Sequence, residues 1–316
     1  MKLSIYLITG ILALSGVMSF IGSDFLRSES EQGLARLATA GNSIIFDSRS
    51  SGNFGIYELS LKEGRKKIYD SEYHDVAPDP SPDGKQIVFA RGKSSDSNKT
   101  FELWLVDRDG KNARKIVAEG YFPTFTIDGK KILFERRKKY VLLYDLETAT
   151  ETVLFNPDNT VFRGSRIFMP KLAPNGKLLS FTSSYGGSYH SYILDLETLS
   201  HRQIGHGCQT AWAGDTKEVF WISDRESLHR TAIKAFNLTS GEIRSVADSS
   251  EPHGIDYFPD LASDSSLVVF SVASKHKNAR DGDYDVFLKD LRSQEVFRLT
   301  TDAMTNRWPR IAKNSN

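Results

Sequence analysis

The stretch Pro78-Asp79-Pro80-Ser81-Pro82-Asp83-Gly84-Lys85-Gln86-Ile87-Val88-Phe89 decides the fold, because related phrases return along the chain. In the clear copies, Pro-x-x-x-x precedes an Asp-Gly-Lys or Asn-Gly-Lys turn, and an apolar strand follows. A repeat of this length is typical of a supersecondary unit that buries its apolar face against its neighbours. The copies begin, in chain order, at Pro78, Pro123, Pro170, Thr210, Pro259 and Pro309.

Each copy contains four predicted strands. Asp-Gly and Asn-Gly favour a tight turn between the first strand and the second. A polar loop leads to an alternating third strand that ends in a phrase such as Leu194-Asp195-Leu196, and a short fourth strand such as 151–155 follows. Four antiparallel strands in a repeat of this length predict a propeller blade.

The two ends of the repeat region complete one another. Segments 43–46, 56–61 and 66–69 supply a second, third and fourth strand, whereas 308–312 supplies a first strand alone. Pairing these ends would leave no open sheet edge. The sequence therefore predicts an all-β, six-bladed β-propeller over residues 41–312, closed by the C-terminal strand joining the N-terminal blade.

The phrase at 78–89 resembles the TolB-type propeller repeat. The stretch from Phe46 to Tyr57 is similar to that family's Phe-x-Ser-Asp-Arg-Gly-Gly-x-x-x-Ile-Tyr phrase, with Ser48-Arg49 in place of Asp-Arg. The resemblance covers roughly residues 40–312 and implies the propeller fold. Similar repeats occur in periplasmic binding proteins, propeller lyases and the non-catalytic half of some peptidases, so the fold leaves the function open. TolB proper also resembles an α/β domain followed by a propeller, and residues 24–40 are too few for such a domain.

The N-terminal segment 1–23 has the features of an export signal. Lys2 is followed by an apolar stretch over 3–21 and by the small residues Gly22-Ser23. We expect a cleaved signal peptide, with a retained N-terminal membrane anchor as the alternative. Residues 24–40 are expected to form a linker, and the propeller to lie in the periplasm or another extracytoplasmic space. Cys208 is the only cysteine, so no internal disulfide can form.

Composition and motifs narrow the chemistry. The 41 basic and 40 acidic side chains nearly cancel, which argues against a nucleic-acid partner. No Gly-x-Ser-x-Gly motif is present. Cys208, close after His206, is either an activated thiol or a small buried residue, and we favour the second interpretation. The segment 281–285 has the alternating carboxylates of a calcium loop, but Arg292 stands where the final carboxylate belongs, which favours a turn. We predict neither a cofactor nor a metal.

The candidate site consists of residues that lead into the inner strands, which are the first strands of the blades and line the propeller axis. His74, His206 and His253 each precede an inner strand, and their convergence would suit a metal-dependent propeller lyase. We predict that six other residues, here called the rim residues, encircle one channel mouth and bind the ligand or partner. Arg166 and Arg307 would supply forked donors to a carboxylate, oriented by Asp256, and Arg307→Ala should change stability little. The rim residues are His74, Tyr121, Arg166, Gln209, Asp256 and Arg307.

These observations predict an exported, non-enzymatic propeller that acts as a binding or assembly module of the cell envelope. The expected partner is an envelope protein, a peptide or a glycan at the channel mouth. The alternative is a carbohydrate-active propeller enzyme, such as a lyase acting on uronic-acid polymers.

Overall fold

The computed structural model describes residues 28–95, 100–225, 230–248, 255–273, 283–302 and 304–314. Within these residues, 24 strands form six four-stranded antiparallel sheets. The strands of the first three sheets are β1 (Asn42–Ser51), β2 (Asn53–Ser60), β3 (Gly64–Tyr69), β4 (His74–Pro80), β5 (Gln86–Gly92), β6 (Glu102–Asp107), β7 (Arg114–Val117), β8 (Tyr121–Phe125), β9 (Lys131–Arg136), β10 (Tyr140–Asp145) and β11 (Glu151–Phe155). A 3₁₀ turn, Pro157–Asn159, follows them.

The remaining strands are β12 (Ile167–Leu172), β13 (Leu178–Ser183), β14 (His190–Asp195), β15 (His201–His206), β16 (Cys208–Trp212), β17 (Glu218–Arg225), β18 (Arg230–Asn237), β19 (Ile243–Asp248), β20 (Ile255–Leu261), β21 (Leu267–Ala273), β22 (Tyr284–Asp290), β23 (Val296–Arg298) and β24 (Thr305–Lys313). Five sheets each contain four consecutive strands. The first blade has the order β24-β1-β2-β3, so it joins the two ends of the ring. This confirms the predicted six-bladed β-propeller and its closure by the C-terminal strand.

The turns between first and second strands carry the repeated glycine. Gly84, Gly129 and Gly176 have φ of 73°, 70° and 69°, a left-handed conformation that glycine adopts at little cost. The turn at Gly84 is longer than the two-residue hairpin that Asp-Gly predicts, because the amide of Ser81 bonds the carbonyl of Gln86. The Asp83 carboxylate accepts from the Ser81 hydroxyl and the Lys85 amide, which stabilises the wider turn.

A β-bulge interrupts every inner strand at the same place. One residue in each strand has φ between 50° and 60°, and the register with the second strand shifts there. A bulge leaves one residue without a ladder partner and redirects its side chain. In chain order, these left-handed residues are Ala77, Phe122, Met169, Gln209, Phe258 and Trp308.

An aromatic side chain at the last position of the repeat phrase packs between the blades. Each lies in a second strand, and all six are buried. Aromatic rings bury a large apolar area, so this one position accounts for much of the contact between adjacent sheets. The six residues are Phe46, Phe89, Phe134, Phe181, Trp221 and Phe270.

Residues 28–39 form an α-helix, α1, within the segment expected to be a linker. Leu34 and Leu37 are buried in the same apolar cluster as Phe297 and Leu299. The Ser30 hydroxyl also donates to the carbonyl of Leu299 at 2.9 Å. The helix thereby packs against the short outer strand β23 and covers part of a sheet edge. The leader 1–23 lies outside the described residues, and no helix within them is long and apolar enough to span a membrane.

Gly33→Ala should loosen α1 from the sixth blade. A Cβ added at Gly33 would lie 2.7 Å from the Cβ of Phe297 and 2.6 Å from Cδ2 of Leu299, so the helix would have to move outward. Overpacking of this kind costs about 1–3 kcal/mol, which urea unfolding monitored by circular dichroism would detect. Gln32→Ala on the exposed side of α1 is the control and should leave the unfolding midpoint nearly unchanged. Equal midpoints for the two variants would show that α1 contributes little to stability.

Candidate functional site

The left-handed residues of the inner strands close the propeller axis. The ring of Trp308 lies 5.0 Å from that of Phe122 and 4.1 Å from that of Phe258. The cavity that these rings line, with residues from all six inner strands, has a volume of about 10 Å³. Such a space holds one water molecule at most. The axis is therefore plugged by aromatic rings at this level.

Four charged side chains meet on the inner strands beyond this plug. Lys171 Nζ lies 3.8 Å and Arg310 Nε 3.3 Å from Asp79 Oδ1, and Arg310 Nη1 bonds Asp260 Oδ1 at 3.3 Å. Arg310 Nε is within ion-pair distance of Asp79 but is not aligned for a hydrogen bond. Burial raises the pKa of Asp79, and burial together with Arg310 lowers the pKa of Lys171 to about 8. Two cations and two anions balance, so the cluster links blades without leaving a net charge on the axis.

The rim residues do not share one register position. Counted back from the left-handed residue of each inner strand, they fall at four different offsets. His74 and Arg166 lie three residues before it and Asp256 lies two before it. Tyr121 and Arg307 lie one before it, and Gln209 is the left-handed residue itself. The six therefore do not occupy equivalent positions, because the bulge sets the register of each inner strand. That they encircle one channel mouth and bind a ligand or partner stays a prediction.

Three rim residues make contacts within the propeller wall. Gln209 Oε1 accepts from the amide of Phe258 at 2.6 Å, which ties the fifth blade to the sixth. Tyr121 stacks on Phe101 with ring centroids 4.3 Å apart. Asp256 is buried, and its backbone carbonyl accepts from the Thr231 hydroxyl. The binding role of these three stays a prediction, but the contacts give each of them a structural role.

Arg307 is a buried structural residue. Its Nε lies 3.1 Å from Oδ1 of Asp47, its Cζ lies 3.6 Å from the ring centroid of Phe54, and both charged side chains are less than 8% exposed. Oδ2 of Asp47 accepts from the amide of Ala77 in the next blade. Burial raises the pKa of Asp47, although Arg307 opposes this rise. We therefore expect Arg307→Ala to destabilise the fold, contrary to the expectation from sequence, because the substitution would leave a buried carboxylate without its cation.

His74 and Arg166 remain accessible on the mouth face, the face of the ring where the inner strands begin. The amide of Phe54 donates to Nδ1 of His74, whose pKa is lowered by burial and by the nearby Arg307. The Arg166 side chain is exposed, while its backbone amide bonds the Ser184 hydroxyl. These two rim residues can reach a ligand without rearrangement of the blades.

The convergence of His74, His206 and His253 cannot be judged from the described residues, which do not include His253. His206 packs on His190 with ring centroids 4.1 Å apart, while His74 packs on Phe54, and His253 lies outside the described residues. Among the described residues, no group of three or more His, Cys, Asp or Glu is placed to hold a metal ion. Of the calcium-like segment, Asp281 is not described, and Asp285 pairs with Arg298 inside the sixth blade.

Cys208 should react slowly in the folded protein. Cys208 is partly buried, and burial, with a smaller contribution from Asp224, raises the pKa of the thiol to about 12. Because the thiolate is the nucleophile, we expect native alkylation at pH 8 to be about 100-fold or more slower than in urea. Mass spectrometry after iodoacetamide treatment measures both rates. Equal alkylation rates in the native protein and in urea would favour the alternative, a Cys208 thiol activated by His206.

The geometry defines a TolB-like six-bladed β-propeller with a plugged axis and an accessible mouth face. TolB from Acinetobacter baumannii shares this fold with a TM-score of 0.67 at 18% identity, over 86% of this chain and 66% of that one. An oligogalacturonate lyase from Vibrio parahaemolyticus aligns with a TM-score of 0.50 at 13% identity, over 76% and 73% of the two chains. At such identities the likeness shows the fold alone.

Sequence comparison adds one relative from the curated proteins. Dipeptidyl-peptidase 5 of Porphyromonas gingivalis is 23% identical over 214 residues, which is 60% of this chain and 30% of that protein. The chain thus matches less than a third of this relative's length. No protein-family model matches the chain.

Proposed function

We propose that the protein is an exported binding or assembly module of the cell envelope, which captures an envelope protein, peptide or glycan on its mouth face. One observation carries the proposal: an exposed arginine lies beside two exposed tyrosines on a rigid blade. Tyr185 and Tyr189 are 37% and 46% exposed, and both belong to the loop between β13 and β14 that adjoins Arg166. Tyr and Arg are the residue types that dominate binding energy at protein interfaces.

The fourth blade holds this patch in place. The backbone of Arg166 exchanges hydrogen bonds with Ser184, through the Ser184 hydroxyl at 2.9 Å and the Ser184 amide at 3.2 Å. Phe168 packs edge-on against Tyr189 with ring centroids 5.1 Å apart. A pre-ordered aromatic surface loses little conformational entropy on binding, which favours recognition.

The predicted leader and the TolB-like fold both support an extracytoplasmic location. A binding module in that compartment needs no reactive group to recognise its partner. Because the axis is plugged, a partner is expected to dock on the mouth face and a ligand is not expected to pass through the channel. Retention of the leader as an anchor would place the same face at a membrane, and cleavage would release it into the periplasm.

Arg166→Ala and Tyr189→Ala should each weaken partner capture without destabilising the fold. Loss of a central interface arginine or tyrosine costs about 2 kcal/mol, or roughly a 30-fold loss of affinity. Exposed substitutions of this kind change stability by less than about 0.5 kcal/mol. The loss of affinity is measured by capture from an envelope extract, quantified by mass spectrometry, and the change in stability is measured by thermal melting.

Lys177→Ala is the matched control for this prediction. Lys177 lies in the same blade as Arg166, and its substitution also removes one exposed positive charge. It lies just after the turn between β12 and β13, at the opposite end of the inner strand from Arg166. We expect it to capture the same partner as the unchanged protein. Equal capture by the double variant Arg166→Ala/Tyr189→Ala would contradict binding at this patch.

The second candidate is the carbohydrate-active enzyme. The adjacent imidazoles of His190 and His206 are the feature that favours it, since paired histidines can serve proton transfer. Incubation with polygalacturonate tests it through the appearance of unsaturated uronate ends. Turnover that is lost in His206→Ala would replace the binding proposal by this one.

A further inference from the structure

A separate recess opens at the mouth-face end of the second blade, away from the fourth-blade patch. It has a volume of about 650 Å³ and lies between the end of β5 and the start of β6. This volume lies within the range of small-molecule sites. Its wall includes Tyr73, Arg91, Lys93, Thr100, Trp104 and Ala118.

The guanidinium of Arg91 is the central charge of this recess. Its side chain is 8% exposed, and Nε donates to Oδ1 of Asp75 at 2.7 Å. The second carboxylate oxygen of Asp75 is occupied by the Ser71 hydroxyl. Nη2 of Arg91 forms no aligned hydrogen bond among the described residues, although the side chain of Tyr69 also lies close to the guanidinium. A buried charged donor without an acceptor is costly, so the site gains if an anion supplies one.

The indole ring of Trp104 forms another wall of the recess and stacks on the guanidinium of Arg91. Cζ of Arg91 lies 4.0 Å from the ring centroid of Trp104, and Nε1 of Trp104 donates to Glu102 at 2.9 Å. Lys115 pairs with Glu102 at 3.0 Å, which neutralises that carboxylate. Lys93 is exposed at the mouth and adds a second cation. The recess thus combines a positive charge with an indole face.

We propose that this recess binds a carboxylate attached to an aromatic body, as at the C-terminus of a peptide that ends in an aromatic residue. The carboxylate accepts from the terminal nitrogens of Arg91 and from Lys93, and the aromatic body packs on Trp104 and Tyr73. Nη2 is shielded from water, so binding requires a small shift of the guanidinium in its own plane, which preserves the stack on Trp104. Because Asp75 is paired with Arg91 and Glu102 with Lys115, Lys93 leaves one net positive charge among these side chains, which matches a singly charged carboxylate better than a doubly charged phosphate.

The test compares N-acetyl-phenylalanine with its carboxamide by calorimetry on the full chain. We expect the carboxylate to bind at least 10-fold more tightly than the amide. Binding should change indole fluorescence, and Trp104→Phe should remove this change although three other tryptophans remain. Equal binding of acid and amide, tighter binding of inorganic phosphate or galacturonate, or no binding of the acid would overturn the proposal.

Two substitutions locate the site. Arg91→Lys keeps a cation beside Asp75 but removes the forked donors, and should weaken binding at least 10-fold. Ala118→Trp fills the recess without touching the Arg91–Asp75 pair and should abolish binding even if Arg91→Lys fails to fold. Val153→Trp adds the same side chain at an exposed position of the third blade and should bind normally. Unchanged affinity in Ala118→Trp would place any observed binding elsewhere.

Discussion

Deletion of residues 304–316 should abolish the cooperative unfolding transition of the protein. The deleted segment contains β24, which pairs with β1 in seven register positions and supplies the inner strand of the first blade. Its loss removes the ladder along β1, the Trp308 ring from the axis and Arg310 from the central charge cluster. Together these losses are comparable to the usual free energy of unfolding of a whole domain, about 5–15 kcal/mol. Circular dichroism during heating should show a broad, non-cooperative change.

A shorter truncation and a peptide complement control this experiment. Removal of residues 315–316 alone leaves β24 whole and should preserve the transition. A synthetic peptide of residues 304–316 should restore a cooperative transition to the truncated chain, since it can re-form the missing strand. If the truncated protein alone melts within a few degrees of the intact one, the closing strand is not required for stability.

The architecture could be predicted because its signals are local. Each Asp-Gly or Asn-Gly turn and each alternating strand is encoded within a few residues, and the spacing of the copies counts the blades. Even the closure could be inferred, because a first strand without its blade and a blade without its first strand can only pair with one another.

The site could be predicted less well because the bulges carry no glycine or asparagine. Ala, Phe, Met, Gln, Phe and Trp occupy the left-handed positions, and such residues rarely adopt positive φ. A usable signal was present: the repeat proline directly follows this residue in five of the six blades. Counting from that proline would have aligned the inner strands and separated the wall residues Gln209 and Tyr121 from the accessible Arg166.

Pairs formed by ring closure could not be foreseen. Asp47 and Arg307 are 260 positions apart, and Glu29 of α1 accepts from the amide of Arg298, which is 269 positions away. No local pattern links such residues, because their contact depends on the final register of β1 against β24 and on where α1 packs. Residues 28–39 were expected to be a linker although Ser28 and Glu31 have the spacing of a helix N-terminal capping pair and Leu34 and Leu37 the spacing of a helix face.

Arg307→Met should destabilise the protein by about 3–5 kcal/mol at pH 7, the usual effect of removing one partner from a buried ion pair. The Asp47 carboxylate would then be buried without its cation, and its pKa, already raised by burial, would rise further. An acid whose pKa is raised in the folded state stabilises the fold below its unfolded pKa. That contribution is lost as pH increases through the folded pKa. The deficit of the variant should therefore shrink towards pH 4 and grow towards pH 7, as urea unfolding across this range would measure.

Two further variants separate the buried charge from the lost packing of Arg307. Asp47→Asn/Arg307→Met has no carboxylate to ionise at this position, so it should be more stable than Arg307→Met at pH 7, and the difference between these two variants should shrink towards pH 4. Arg166→Met removes an exposed arginine from the same face and should remain close to the unchanged protein. A constant deficit in Arg307→Met across the pH range would mean that Asp47 is not the group left uncompensated. The role of Arg307 would then be limited to its packing on Phe54, where its guanidinium lies over the ring.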